Sequence, residues 1–244
     1  MPPIPAAVRA DLAPSGTLRA AINYGNAILA TRDAATGESR GVAVDLTRAL
    51  TGRLGVPPAI VAYDSVAAMV DAARADAWDI AFLGIDPARA DTIGFTGAYL
   101  QIEATYLVPI GSPLRSAADV DADGIRVAAP ARANYELFLR RTLTRARLES
   151  TPTAAGAFEL LQSGRVDALA GLRQSLIELA DRLPGSRMVD GAFMAVQQAI
   201  GVPRGRDAGL AYLRDFVEDA KASGLVGRAI AHTGARGVSV APPA

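Results

Sequence analysis

A two-lobed α/β fold joined by two crossing hinge strands is what this sequence predicts, and three observations predict it. Strand-like and helix-like segments alternate, the pattern of a mainly parallel sheet. One unit occurs twice: DAARADAWDIAFLG and FELLQSGRVDALAG each set an amphipathic helix, a short polar break and an Asp (Asp79, Asp167) before an apolar strand. Two extended segments ending in Gly and Pro, TYLVPIGSPL and AVQQAIGVPRGR, follow the two units and read as the crossing strands. Lobe one then spans residues 1–108 and 196–244, and lobe two residues 109–195.

Each element has its own signal. After a Pro-rich lead, TLRAAINY alternates as a strand, and Gly37 to Gly41 turn the chain into VAVDLTRALTGRLGV, where Leu46, Leu50 and Leu54 recur at helical spacing. Asp45 is expected to cap that helix and Gly55 to close it. AIVAYD is a short strand, SVAAMVDAARADA a helix capped by Ser65, and WDIAFLGI an apolar run suited to a strand buried on both faces. In the second unit GIRVAAP and RVDALAGL read as strands, and NYELFLRRTLTRA and AAGAFELLQSG as helices. DAGLAYLRDFVEDAKASGLV, with Leu210, Leu213, Phe216 and Val217 on one face, is a helix returning to lobe one, and the tail GVSVAPPA is expected to fray.

Composition narrows the function. Half of the 244 residues are hydrophobic and a fifth charged, as in an ordinary soluble globular protein. Lys+Arg and Asp+Glu are 25 each, so no summed field draws in nucleic acid or an anionic membrane. Without cysteine there is no disulfide, thiolate metal site or cysteine nucleophile, and the one histidine, His232, has no partner for a metal set or triad. Phosphate-binding Gly loops are absent, and a lone Lys221 argues against Schiff-base chemistry. No cofactor or metal is expected. No stretch reaches the roughly 18 apolar residues of a membrane span, and the start lacks the basic and apolar regions of an export signal. Met1 is therefore read as a native start and the cytoplasm as the compartment; a trimmed signal peptide would place the protein in the periplasm.

GTLRAAINYGN, TGESRGVAVDLTRALTGRLGV, AWDIAFLGIDPARADTIGFTGAYL and SGRVDALAG resemble, in order and spacing, the amino-acid-type (family 3) solute-binding proteins of bacterial ABC importers, with the type II periplasmic-binding-protein fold. The most specific piece is PARADTIGFTGAY. The resemblance implies a carboxylate ligand bound in an interlobe cleft with hinge closure, an ABC permease as partner, and a monomer. It also implies that Arg89 grips the ligand carboxylate, a role that suits a planar, permanently charged donor fork. Asp86 and Pro87 fit the start of a short helix beside it. The alternative is a surface pairing of Arg89 with Asp86 or Asp91.

Lobe two departs from the family's pattern. Leu172 stands where an Asp usually takes the ligand ammonium, and Arg132, Ala133 and Asn134 replace a Gly and hydroxyl-bearing residue. With Arg173 nearby, these changes suggest a ligand without a free amino group, or with a second anionic group; Glu103 is the remaining candidate for an ammonium partner. Tyr24 and Asn26 follow the first strand, where α/β sheets present loops to ligands. Phe82, Leu83 and Gly84 end a buried strand, with core packing the commoner fate for the apolar pair. Gln197 and Gln198 either meet the ligand or brace the hinge. Two other functions share this fold: a cyclohexadienyl-dehydratase-like enzyme using Glu103 or Glu136 as acid, and a cytoplasmic ligand sensor.

Overall fold

The computed structural model describes residues 3–244, so the first two residues of the expected lobe one lie outside the described ones. The chain divides into two compact units: everything up to Gln101 together with Gln197–Ala244, and Ile102–Val196.

In the first unit the elements are α1 (Ala6–Leu12), β1 (Leu18–Asn23), the short β2 (Thr31–Arg32) and β3 (Ser39–Arg40), α2 (Val42–Leu54), β4 (Pro58–Tyr63), α3 (Val66–Asp71) and β5 (Ile80–Gly84). β6 (Ile93–Val108) is sixteen residues long and runs on into the second unit. There follow β7 (Arg126–Pro130), α4 (Asn134–Thr142), β8 (Arg147–Thr151), α5 (Ala154–Gln162), β9 (Ala168–Leu172), α6 (Arg173–Ala180) and β10 (Arg187–Met188). β11 (Met194–Pro203) carries the chain back, and α7 (Asp207–Ala222), α8 (Leu225–Thr233) and β12 (Val238–Val240) complete the first unit.

β1 lies between β4 and β5, parallel to both, and β11 runs antiparallel to β5, pairing Gln198 with Gly84. Every residue of β5 is buried, as its uninterrupted apolar run requires. Trp78, fully buried just before β5, donates its indole N–H to the Met69 carbonyl at 3.0 Å, so the largest side chain of this core leaves no polar atom unpaired.

The second unit repeats the plan. β7 is parallel to β8 and β9, and β9 is antiparallel to β6. Successive residues face opposite sides of this sheet, the two-residue period of a strand. Tyr106, Val127, Ala129, Ala168 and Ala170 pack with Leu139 of α4 on one face. Leu107, Ala128 and Leu169 pack with Phe158 and Leu161 of α5 and Leu176 of α6 on the other.

The recurring Asp has a recurring partner. Asp79 accepts the Arg19 backbone N–H at 2.8 Å and two bonds from its guanidinium; Asp167 accepts the same three from Arg126. Each Asp thus ties the start of its strand to the start of the neighbouring parallel strand. In the first unit Arg206 adds a further bond at 2.9 Å. Burial alone would raise the Asp79 carboxyl, but the bonds from Arg19 and Arg206 outweigh it and hold it below the ordinary range.

Several local expectations are corrected. Within the Pro-rich lead, for which the sequence predicts no element, Ala6–Leu12 is helical, with Val8 and Leu12 buried and the Asp11 carboxylate receiving the Gly209 N–H of α7 at 2.8 Å. Asp45 does not cap α2; the cap is Gly41, at φ 136°, where a Cβ would lie 2.4 Å from the Leu29 carbonyl oxygen. Ser65 and Gly55 do close their helices as expected. The segment after α3 tightens into a 3-10 turn, Ala72–Ala75. α4 stops at Thr142 because Asp121 gathers the N–H groups of Thr144, Arg145 and Ala146, turning the chain into β8. The tail does not fray: β12 pairs with β6, Ala241 is buried, and its N–H reaches the Tyr99 carbonyl.

Candidate functional site

Tyr24, Asn26, Gly84, Asp86 and Arg89 in the first unit, and Arg132, Asn134 and Leu172 in the second, fall at or just beyond the carboxyl ends of parallel strands, whereas Phe82, Glu103, Gln197 and Gln198 lie within strands.

In the first unit β5 ends at Gly84, and Asp86 caps a single 3-10 turn, Pro87–Arg89, by accepting the Ala88 N–H at 2.9 Å. Pro87 fits the first position because its missing donor is not required there. The turn folds Arg89 back so that its guanidinium donates to the Gly84 carbonyl at 2.5 Å. Arg89 is 3% exposed and Asp86 equally so, so neither lies on the surface. A guanidinium buried at a strand end is a permanently charged donor fork held in a fixed place, the kind of group that can pair with a carboxylate.

The residues around it divide in role. Phe82 is core: fully buried, its ring meets Tyr99 edge-on at 5.9 Å. Asn26 serves its turn, its side-chain oxygen accepting the Ile28 N–H at 3.2 Å. The Tyr24 hydroxyl lies 2.5 Å from Ser39 Oγ, and Arg32 covers its ring. Gln197 pairs with the Gln101 side chain at 3.1 Å, whereas Gln198, opposite Gly84, is 5% exposed and its carbonyl oxygen has no hydrogen-bond partner.

In the second unit Arg132 follows β7 in the left-handed region, φ 63°, and its backbone N–H donates to Glu136. Asn134 begins α4 and is buried. Leu172 ends β9 and precedes α6 without a capping side chain. Glu103 is already engaged by one partner: Arg173 Nε bonds its carboxylate at 2.5 Å while Arg173 Nη2 reaches the Gly191 carbonyl. Local sequence missed this pair because its members are 70 residues apart, brought together by the register that sets Ala104 opposite Leu172. Glu136, 1% exposed, is likewise held by Arg140 and by Ser150 Oγ. The four-residue spacing of Glu136 and Arg140 was the available signal. Among the described residues no His/Cys/Asp/Glu group is arranged for a metal, and no helix is long and apolar enough to cross a membrane.

The sequence profile of the bacterial extracellular solute-binding proteins, family 3, matches residues 18–232. The chain belongs to this family. Solved structures similar to this family 3 protein include Streptococcus pneumoniae AbpA, an amino acid ABC transporter substrate-binding protein bound to L-arginine. It is 19% identical, with 91% of this chain and 96% of that one covered and a TM-score of 0.75. A putative ABC transporter binding component from Wolinella succinogenes, complexed with lysine, is 19% identical over 89% and 95%, at 0.75. The ancestral amino acid-binding protein AncCDT-1, a precursor of cyclohexadienyl dehydratase, is 21% identical over 89% and 94%, at 0.73. At these identities the likeness is one of fold, and that fold is the type II periplasmic-binding-protein fold expected from the sequence.

Proposed function

We propose that this family 3 protein binds a small carboxylate-bearing solute, an amino acid or organic acid, with Arg89 holding the carboxylate. The observation that carries the reading is the buried Arg89 guanidinium, folded back onto the Gly84 carbonyl at the end of β5. Its planar donor fork matches a carboxylate through parallel, charge-assisted hydrogen bonds. β6 and β11 both pass from one unit to the other, and the proposal includes closure of the units over the ligand by bending in these two strands. Similar structures carry arginine, lysine or glutamine, which supports amino acids as candidates. A permease of the ABC class is the partner that family membership suggests.

The dehydratase alternative has AncCDT-1 in its favour, but Glu103 and Glu136 are held in ion pairs by Arg173 and Arg140, and binding is the stronger reading. A thermal-shift screen against amino acids, dicarboxylates and aromatic acids tests it. Ligand at a hundredfold its Kd stabilises the fold by about 2.7 kcal/mol. A carboxylate class that shifts the wild type but not Arg89→Ala supports the proposal; equal shifts in both contradict the anchor. Small-angle scattering with that ligand should show compaction, and an unchanged radius would contradict closure.

A further inference from the structure

We infer that Gln198 is a specificity-determining residue whose side-chain carbonyl accepts a hydrogen bond from an N–H or O–H group carried beside the ligand's carboxylate. The inference rests on the reading of Arg89 as the carboxylate anchor and adds the second group that the ligand must bear.

Gln198 is 5% exposed and its Oε1 has no hydrogen-bond partner, so the free protein holds a buried acceptor unsatisfied. Native interiors pair nearly all such atoms, and an exception needs a cause. Its neighbour Gln197 has one, the brace to Gln101. Position supplies the cause for Gln198. It stands opposite Gly84 in the β5–β11 register, and Gly84 is the residue whose carbonyl Arg89 engages. Facing partners in an antiparallel pair point their side chains to the same side of the sheet, and Gly84 has none, so no side chain competes with the Gln198 amide across the pair, at the residue that the anchor engages. A donor on the carbon next to the ligand carboxylate is the group that such an acceptor complements. An α-amino and an α-hydroxy acid share that chemistry; a 2-oxo acid and an unsubstituted acid lack it.

The experiment uses the full chain and calorimetric titration with matched sets: alanine, lactate, pyruvate and propionate; glutamate, 2-hydroxyglutarate, 2-oxoglutarate and glutarate; phenylalanine, phenyllactate, phenylpyruvate and hydrocinnamate. In the set of best-fitting length the wild type should bind the amino or the hydroxy acid about tenfold to a hundredfold more tightly than its oxo and unsubstituted counterparts, the range set by leaving a buried acceptor unpaired. The amino and hydroxy arms identify which donor the site takes. Gln198→Met keeps length and removes the acceptor. It should reduce the donor-bearing acid to the affinity of the unsubstituted one, leave the latter unchanged, and raise the Tm of the ligand-free protein by relieving the unpaired atom. Loss of Tm in Gln198→Met, marking a structural brace, overturns the inference. So does retention of the preference in that variant, or a wild type that binds oxo and unsubstituted acids equally well. Those outcomes leave the Arg89 reading intact; failure of every acid to bind at millimolar concentration overturns both.

Discussion

The repeated Asp gives the most quantitative prediction, because the same sequence device sits in two different environments. In Asp79→Ala the carboxylate lost is 0% exposed, and with it go three bonds from Arg19 and one from Arg206, whose side chains are 27% and 15% exposed. Removing one member of a buried ion pair costs about 3–5 kcal/mol; the partial exposure of both arginines places this case near about 3 kcal/mol. In Asp167→Ala the partners are 34% and 41% exposed. There the ion pair contributes about 0–1 kcal/mol and the bond to the Arg126 backbone about 1 kcal/mol more. At roughly 2–4 °C per kcal/mol for a chain of this size, the first variant should lose about 6–12 °C in Tm and the second about 2–8 °C. Scanning calorimetry at neutral pH measures both. The sign of the pH dependence follows from Asp79 being held below its ordinary value: its contribution is complete above the usual carboxylate range, near pH 4, and disappears as pH falls through and below it. The gap between wild type and Asp79→Ala should therefore close in acid. Equal losses in the two variants, or a gap that persists at pH 2, would refute the reasoning.

Four further predictions test the scaffold. Gly209→Ala places a Cβ 2.7 Å from Leu12 Cδ2 and 2.9 Å from Asp11 Cβ, so overpacking between α1 and α7 should outweigh the helical gain and cost about 1–2 kcal/mol in a denaturant titration. Gly52→Ala in α2, with nothing within 4 Å of its new Cβ, should instead stabilise by about 0.5–1 kcal/mol. Removing residues 238–244 takes away β12, buried Ala241 and the bond from Lys221 Nζ to Pro242 at 2.8 Å; stability should fall by about 1–2 kcal/mol, and an unchanged midpoint would contradict the docked tail. Asp121→Ala should cost about 1–3 kcal/mol and increase hydrogen exchange at Thr144, Arg145 and Ala146, whose amides it now holds.

What the sequence disclosed was local or periodic. The apolar runs of β5 and β9 announced strands buried on both faces, and the repeated Asp marked the two units. Asp86, Pro87 and Arg89 fall within four residues, and their turn was readable because its cap and its proline act on immediate neighbours. What escaped was set by distant partners. The Pro-rich lead carries no element assigned from sequence, yet Ala6–Leu12 becomes α1, where Val8 and Leu12 are buried and Asp11 receives the Gly209 N–H of α7, some 200 residues later. The tail reads as frayed, yet β6 offers it an edge. Glu103 reads as an available carboxylate until the β6–β9 register delivers Arg173 to it. Likewise, nothing local separates Gln197 from Gln198; the difference between brace and open acceptor comes from what each meets across the sheet.

The central claim is that Arg89 anchors the ligand carboxylate, and one titration tests it most directly. The Kd of the best acid from the screen is measured on the wild type, Arg89→Lys and Arg89→Ala, each shown to be folded by its thermal transition. Truncating one partner of a buried, hydrogen-bonded charge pair costs about 2–5 kcal/mol, so Arg89→Ala should weaken binding by about thirtyfold or more. Arg89→Lys should fall between, keeping the charge without the planar fork. Equal affinities across the three proteins would contradict the account.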